Sequence, residues 1–200
     1  MSQPIDVKTS VRADRPTGAY KPLWAWFGYD EPNYTYSEHG KKLLAELTEL
    51  SPVSPHIRTH NLLTSGDGVA ALKWGSTNAY TEDANGNAVY DWTIMDQIFD
   101  AYAEAGNTPL VQIGFTPEAL SDDPGPYQHS WEPANKYATI LTGWAALPND
   151  LKKWGALIEA RAQHLADRYG KEKVSTAVGS VERAGRALLD RHDPRILRHV

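Results

Sequence analysis

Residues 108–115 read TPLVQIGF. The run is short, apolar at Leu110, Val111 and Ile113, and bounded by turn signals, so it reads as a buried strand. Just upstream, DWTIMDQIFDAYAEAG (91–106) reads as a helix capped by Asp91 and closed by Gly106. The same alternation continues outward in both directions. HIRTHNLL (56–63) reads as a second strand, between a Pro/Ser stretch and a Gly-rich loop. SEHGKKLLAELTELSP (37–52) predicts a helix with Ser37 as N-cap, Leu43, Leu44, Leu47 and Leu50 on one face, and Pro52 as the stop. PLWAWFG (22–28) predicts another buried strand. Between the second strand and its helix, Asn85-Gly86 in EDANGNAVYDW signals a hairpin insertion. Downstream, NDLKKWGALIEARAQHLADRYG (149–170) repeats Leu151, Trp154, Ile158, Ala162, Leu165 and Tyr169 at helical steps and ends at Gly170. KEKVST (171–176) then stands where a fourth strand is due. Strands alternating with helices imply right-handed crossovers and a parallel sheet, an α/β fold.

The totals narrow the function. Two hundred residues make one domain by the usual prior, short of the roughly 250 that a complete (β/α)8 barrel needs. A net charge of -5, with no basic patch outside the last residues, disfavours nucleic acid as a partner. There is no cysteine, and so no disulfide or thiolate chemistry. No apolar run approaches a membrane span. The polar start MSQPIDVKTSVRADRPTG has no signal-peptide core. That makes a cytoplasmic protein the default expectation, or a secreted or periplasmic one if the true start lies upstream.

Several motifs invite chemistry. Asp30 and Glu31 are adjacent carboxylates, but neighbours on an extended chain point opposite ways, so a loop role is preferred to a catalytic pair. His56 and His60 share a strand face about 13 Å apart, too far to hold one metal ion. His60 lies near the C-terminal end of its strand, where barrels keep their ligand contacts. The segment DANGN has its glycine at the wrong offset for a calcium loop, so the turn reading holds. Glu118 follows the third strand and either faces a site or pairs with a cation. Aromatic residues gather in the loops after the strands: Tyr29, Tyr34, Tyr36, Trp74, Tyr80, Tyr127, Trp131 and Trp144. Rings with polar tips suit sugar faces, although packing explains any single one of them.

The segments WFGYDEPNYTYSEHGKKLL, IRTHNLLTSGDG, LKWGSTNAYTEDANGN, YDWTIMDQIFDAY, PLVQIGFTPEAL and YGKEKV together resemble glycoside hydrolase family 39, the β-xylosidase type, in order and over roughly residues 22–176. The resemblance implies the N-terminal half of a (β/α)8 catalytic barrel, about its first three βα units, with a hairpin insertion and a retaining mechanism. It implies a carbohydrate partner, a β-xyloside or related β-glycoside, with no cofactor and no metal. It assigns Arg58 and His60 to the family's Arg-x-His on the second strand, where the His contacts a sugar hydroxyl and the Arg supports the site. It assigns Phe115 to the ring beneath the bound sugar. The family's acid/base Glu stands in a Trp-Asn-Glu-Pro motif on the fourth strand, and its nucleophile Glu lies on a much later strand. The first motif is nowhere in this chain, so no catalytic residue is assigned and the chain as written is expected to be inactive.

The last 24 residues differ from the rest. They hold none of the seven Trp, ten Tyr or three Phe, but five of the ten Arg. Back-translated from Ala177 and read after one dropped nucleotide, the codons become CNG TNG GNA GYG TNG ARC GNG CNG GNC GNG. These admit Arg-Trp-Glu-Val-Trp-Asn-Glu-Pro-Asp-Gly, the family's fourth strand, with the missing acid/base Glu encoded across Arg183 and Ala184. The reading divides the chain into an N-terminal extension (1–21), the barrel portion (22–176) and an out-of-frame tail (177–200). It predicts a fourth strand ending near Thr176, an irregular or loosely attached tail, and a poorly soluble isolated chain with open sheet edges. The rival reading is a non-catalytic carbohydrate-binding protein with a genuine basic C-terminal segment.

Overall fold

The computed structural model describes residues 6–70, 75–125, 127, 143–176 and 179–181. Residues 6–21 are exposed and form no helix or strand. Four strands follow in parallel, in the order β1 (Trp26–Gly28), β2 (His56–Thr59), β5 (Thr108–Ile113), β6 (Gly179–Val181). The helices α1 (Glu38–Leu50), α2 (Thr93–Glu104) and α3 (Leu151–Tyr169) connect them. The sheet order follows chain order, so each strand is added beside its predecessor, as in the first part of a (β/α)8 barrel. The insertion is a hairpin of β3 (Tyr80–Glu82) and β4 (Ala88–Tyr90), antiparallel, with Gly86 in the turn at φ 76°. That left-handed conformation is one glycine adopts without steric cost.

Local chemistry sets the helix ends. Ser37 Oγ accepts from Gly40 N at the start of α1. Asp91 Oδ1 accepts from Thr93 N at the start of α2, and Asp150 Oδ1 accepts from the backbone N–H groups of Lys152 and Lys153 at the start of α3. Each satisfies donors that a helix leaves open. Gly106 and Gly170, both at positive φ, end α2 and α3.

The core lies between sheet and helices. Ile57 of β2 joins Leu44 of α1, Ile98, Phe99 and Tyr102 of α2, and Leu157 and Leu165 of α3. Strand alternation leaves His56, Arg58 and His60 on the opposite face.

Several expectations are corrected. PLWAWFG is not a buried strand: only Trp26–Gly28 is extended, and all three residues are exposed. β1 is an edge strand, so its apolar residues lack a neighbour on one side. Leu43 and Leu50 of α1 are exposed and Leu44 alone is fully buried there, because the helix meets the core along a narrow stripe. β5 is only half-buried apart from Gln112. On α3 the buried stripe is Leu157, Arg161 and Leu165, flanked by partly buried Trp154, Ile158 and Tyr169, while Leu151 faces solvent.

KEKVST is not a strand. Lys171–Thr176 forms a short helix, α4, with Glu172 in its first turn and Lys173 in its last, the charge order that suits a helix dipole. The fourth strand therefore does not end near Thr176. It is β6, within the tail, and it pairs in parallel with β5 through Val111–Gly179, Gln112–Ser180 and Ile113–Val181. Residues 182–200 lie outside the described residues, so the expectation of an irregular tail beyond β6 is not addressed by the structure.

Candidate functional site

The parallel strands β2 and β5 carry their C-terminal ends to one edge of the sheet, and the residues just beyond them meet there. His60 follows β2 and is buried. Its Nδ1 stands 3.0 Å from Gln112 Oε1 on β5. The donor and acceptor roles in that contact follow the tautomer of the ring. Phe115, two residues past β5, packs edge-on against the His60 ring at 5.3 Å between centroids. Trp144 lies 6.5 Å behind Phe115, and Tyr127 meets Trp144 edge-on at 6.1 Å. Burial pushes the Tyr127 hydroxyl up to about 12, so it stays neutral and able to donate.

Arg58 points to the same face. Its register partner on β1 is Gly28, where a Cβ would stand only 2.9 Å from Arg58 Nε, so the glycine leaves room for the guanidinium. Arg58 Nη2 donates to Asp30 Oδ1 at 3.1 Å, and the same oxygen is 3.9 Å from His60 Nε2. The structure thus brings Arg58, His60 and Phe115 together at one end of the sheet. The edge can offer a sugar an apolar ring face, a cation and an imidazole side by side.

Other motifs separate from this cluster. His56, four residues before His60, stacks on Trp26 at 4.0 Å, and no group of three metal-binding side chains occurs among the described residues. Glu118 is exposed and makes no ion pair among the described residues; its backbone N–H donates to Ser65 Oγ. Tyr29 bonds Thr35 and Tyr102, Tyr36 bonds Gly68 O, and Tyr80 bonds Glu82, so these three rings serve packing. Tyr34 is part exposed, and Trp74 and Trp131 lie outside the described residues.

Three residues of the cluster escaped the sequence reading. Gln112 is a lone amide inside an apolar strand, which was the available signal. Asp30 stands beside Glu31 in the sequence, and nothing local signals its partner 28 positions away. Asn61, at φ 55°, donates from Nδ2 to the Asp30 carbonyl and so holds the acidic loop in place.

Comparison with known proteins fits this geometry. Residues 7–178 match the family described as glycosyl hydrolases family 39. The chain is 30% identical over 124 residues to a β-xylosidase of Geobacillus stearothermophilus, covering 60% of this chain and 20% of that protein. It is 34% identical over 80 residues to a β-xylosidase of Caldicellulosiruptor saccharolyticus, covering 40% and 14%. The chain thus spans about a fifth or less of these relatives. Among solved structures, a monomeric β-xylosidase from Caulobacter crescentus superposes with a TM-score of 0.54 at 27% identity, over 78% of this chain and 27% of that one. A family 39 enzyme from Xanthomonas axonopodis pv. citri gives 0.56 at 26% identity, over 78% and 26%. With a match over most of its length, and with the parallel strand order and crossovers of a partial barrel, this chain belongs to glycoside hydrolase family 39.

Proposed function

We propose that the chain is the N-terminal portion of the catalytic barrel of a retaining, β-xylosidase-type glycoside hydrolase, with residues 1–21 an extension and 177–200 translated out of frame. The observation that carries the reading is the contact of His60 with Gln112 and Phe115 beside the Arg58–Asp30 pair, at the strand ends. In this reading a sugar hydroxyl donates to His60 Nε2, the Phe115 ring underlies the sugar, and Arg58 holds Asp30 and stiffens the rim. A retaining glycosidase needs an acid/base and a nucleophilic carboxylate about 5 Å apart. The acid/base would come from the fourth strand read in the alternative frame, and the nucleophile from a later strand.

The test is turnover of an aryl β-xyloside. The 200-residue chain should show none above background. A longer product, read after deletion of one nucleotide at Ala177 in a gene with its downstream sequence intact, should be active. The acid/base alone typically contributes about 10²- to 10⁴-fold. Robust turnover by the 200-residue chain would overturn the proposal.

The pairing of Gly179–Val181 with β5 in the frame as written favours a second reading, a non-catalytic carbohydrate-binding protein whose C-terminal segment is genuine. It expects measurable xyloside binding with no turnover, even after the frame is altered.

A further inference from the structure

A cavity of about 270 Å³ lies between α2, α3 and α4, beside Asn107 and Thr108 at the start of β5. His60 and Phe115 stand beyond the other ends of the strands, so the cavity is not part of their cluster. Its wall is mostly apolar: Phe99, Val111, Leu165 and Val174, with Tyr102 and Tyr169. The polar side chains of the wall are turned to other partners. Tyr102 OH bonds Tyr29 OH at 2.7 Å, Tyr169 OH donates to Asp100 Oδ1 at 2.7 Å, and Thr108 Oγ1 stands 3.1 Å from Ser54 Oγ. Asn107 Nδ2 donates to Thr48 Oγ1 at 2.7 Å, and Lys173 is exposed. Asn107 Oδ1 is then the one buried side-chain acceptor of the wall that meets no partner among the described residues. A buried water needs about two to four polar partners, so a single acceptor is too few to hold one in place.

Size and lining set the class of ligand. The volume exceeds the roughly 150 Å³ at which an apolar cavity engineered in another protein stays dry and takes benzene. It falls below the roughly 300–1,000 Å³ of clefts that hold drug-sized molecules. A single ring with few substituents fits between these limits. A sugar does not suit the wall, because its hydroxyls would lose water against Phe99 and Leu165 without gaining partners. Phe99 and Tyr169, whose ring centroids are 6.2 Å apart with the planes tilted by 37°, offer contacts that favour an aromatic ligand over an aliphatic one.

We infer that the space between α2, α3 and α4 is a binding site for a small apolar aromatic compound, separate from the sugar site proposed above and independent of it. Benzene is the probe. At about ten times its dissociation constant it should raise the thermal midpoint of the 200-residue chain by roughly 3–6 °C. Ala103→Phe on α2 and Val174→Phe on α4 fill the space from different sides, and each should abolish that rise. If melting is not cooperative, the fluorine NMR line of fluorobenzene should shift and broaden when the chain is added, and recover with either filled variant. Any response to methyl β-xyloside should survive both substitutions, because that ligand belongs at the other end of the sheet. Failure of the sugar site and failure of this one are therefore distinguishable. No response to benzene or fluorobenzene in the unsubstituted chain, or a response that both filled variants retain, overturns the inference.

Discussion

The two faces of the parallel sheet are built from alternate residues of the same strands, and they are used differently. On the helix side Ile57, Ile98 and Tyr102 are almost wholly buried. On the other side Trp26 remains 44% exposed and the Arg58 side chain 36%. One face is closed by apolar contact. The other carries cations, imidazoles and rings that pair with one another. A single-residue step along β2 therefore separates stability from the chemistry proposed for the site.

This contrast predicts how substitutions divide. The largest stability effect belongs to the closed face. Ile98→Ala removes a fully buried side chain from α2 and should destabilise by about 2–5 kcal/mol. Thermal melting should then shift down by roughly 4–20 °C. A shift below one degree would mean that this face is not the core.

The next effect sits on the open face and should leave stability nearly alone. Arg58→Met breaks a solvent-accessible ion pair with Asp30, worth less than about 1 kcal/mol. In the longer product proposed above, kcat/KM for an aryl β-xyloside should nevertheless fall roughly 10- to 100-fold, the value of a lost charged hydrogen bond. Unchanged kinetics alongside a large loss of stability would reverse the division between the faces.

The smallest effect is at the hairpin. Lys153 Nζ donates to Glu82 Oε1 at 2.8 Å and to the Gly86 carbonyl, clipping the insertion onto α3. The Lys153 ammonium, with help from the Tyr80 hydroxyl, holds the Glu82 carboxyl below the usual range. A depressed carboxyl stabilises the fold above its unfolded value, about 4.3, and the contribution is lost as pH falls through the folded value. Glu82→Gln should therefore cost at most about 1 kcal/mol at pH 7 and nothing near pH 2. Denaturant midpoints at the two pH values check this.

Much of this arrangement was legible in the chain. Ser37, Asp91, Gly106 and Gly170 act through the neighbouring few residues, so cap and stop signals place α1, α2 and the end of α3 within a residue or two. Asn85-Gly86 places the hairpin for the same reason. What failed was read from position in a pattern and not from local chemistry. Position in the β-α alternation predicts a strand at KEKVST, although its single apolar residue, Val174, cannot form an alternating face. Arg161 was passed over because a charged side chain is not expected in a buried stripe. The pairing of Asp30 with Arg58, and of His60 with Gln112, depends on strand register, which no single segment encodes.

Asn33 shows what such pairing does for the rim of the site. This fully buried side chain lies in the loop after β1. Its Oδ1 accepts from Ser76 N, and its Nδ2 reaches the carbonyls of Gly68 and Ser76 and the Tyr36 hydroxyl. Gly75 is pressed so close to Pro32 that a Cβ there would stand 2.3 Å from the ring. The loops after β1 and β2 are thus one object, tied at its middle. Left untied, residues 60–70 and 75–79 would carry a large conformational entropy, lost each time a ligand organised them. With the tie, the ordering of residues 60–70 and 75–79 is complete when the protein folds, so a ligand at the proposed site would meet these parts of the rim already set and keep more of its contact energy as affinity.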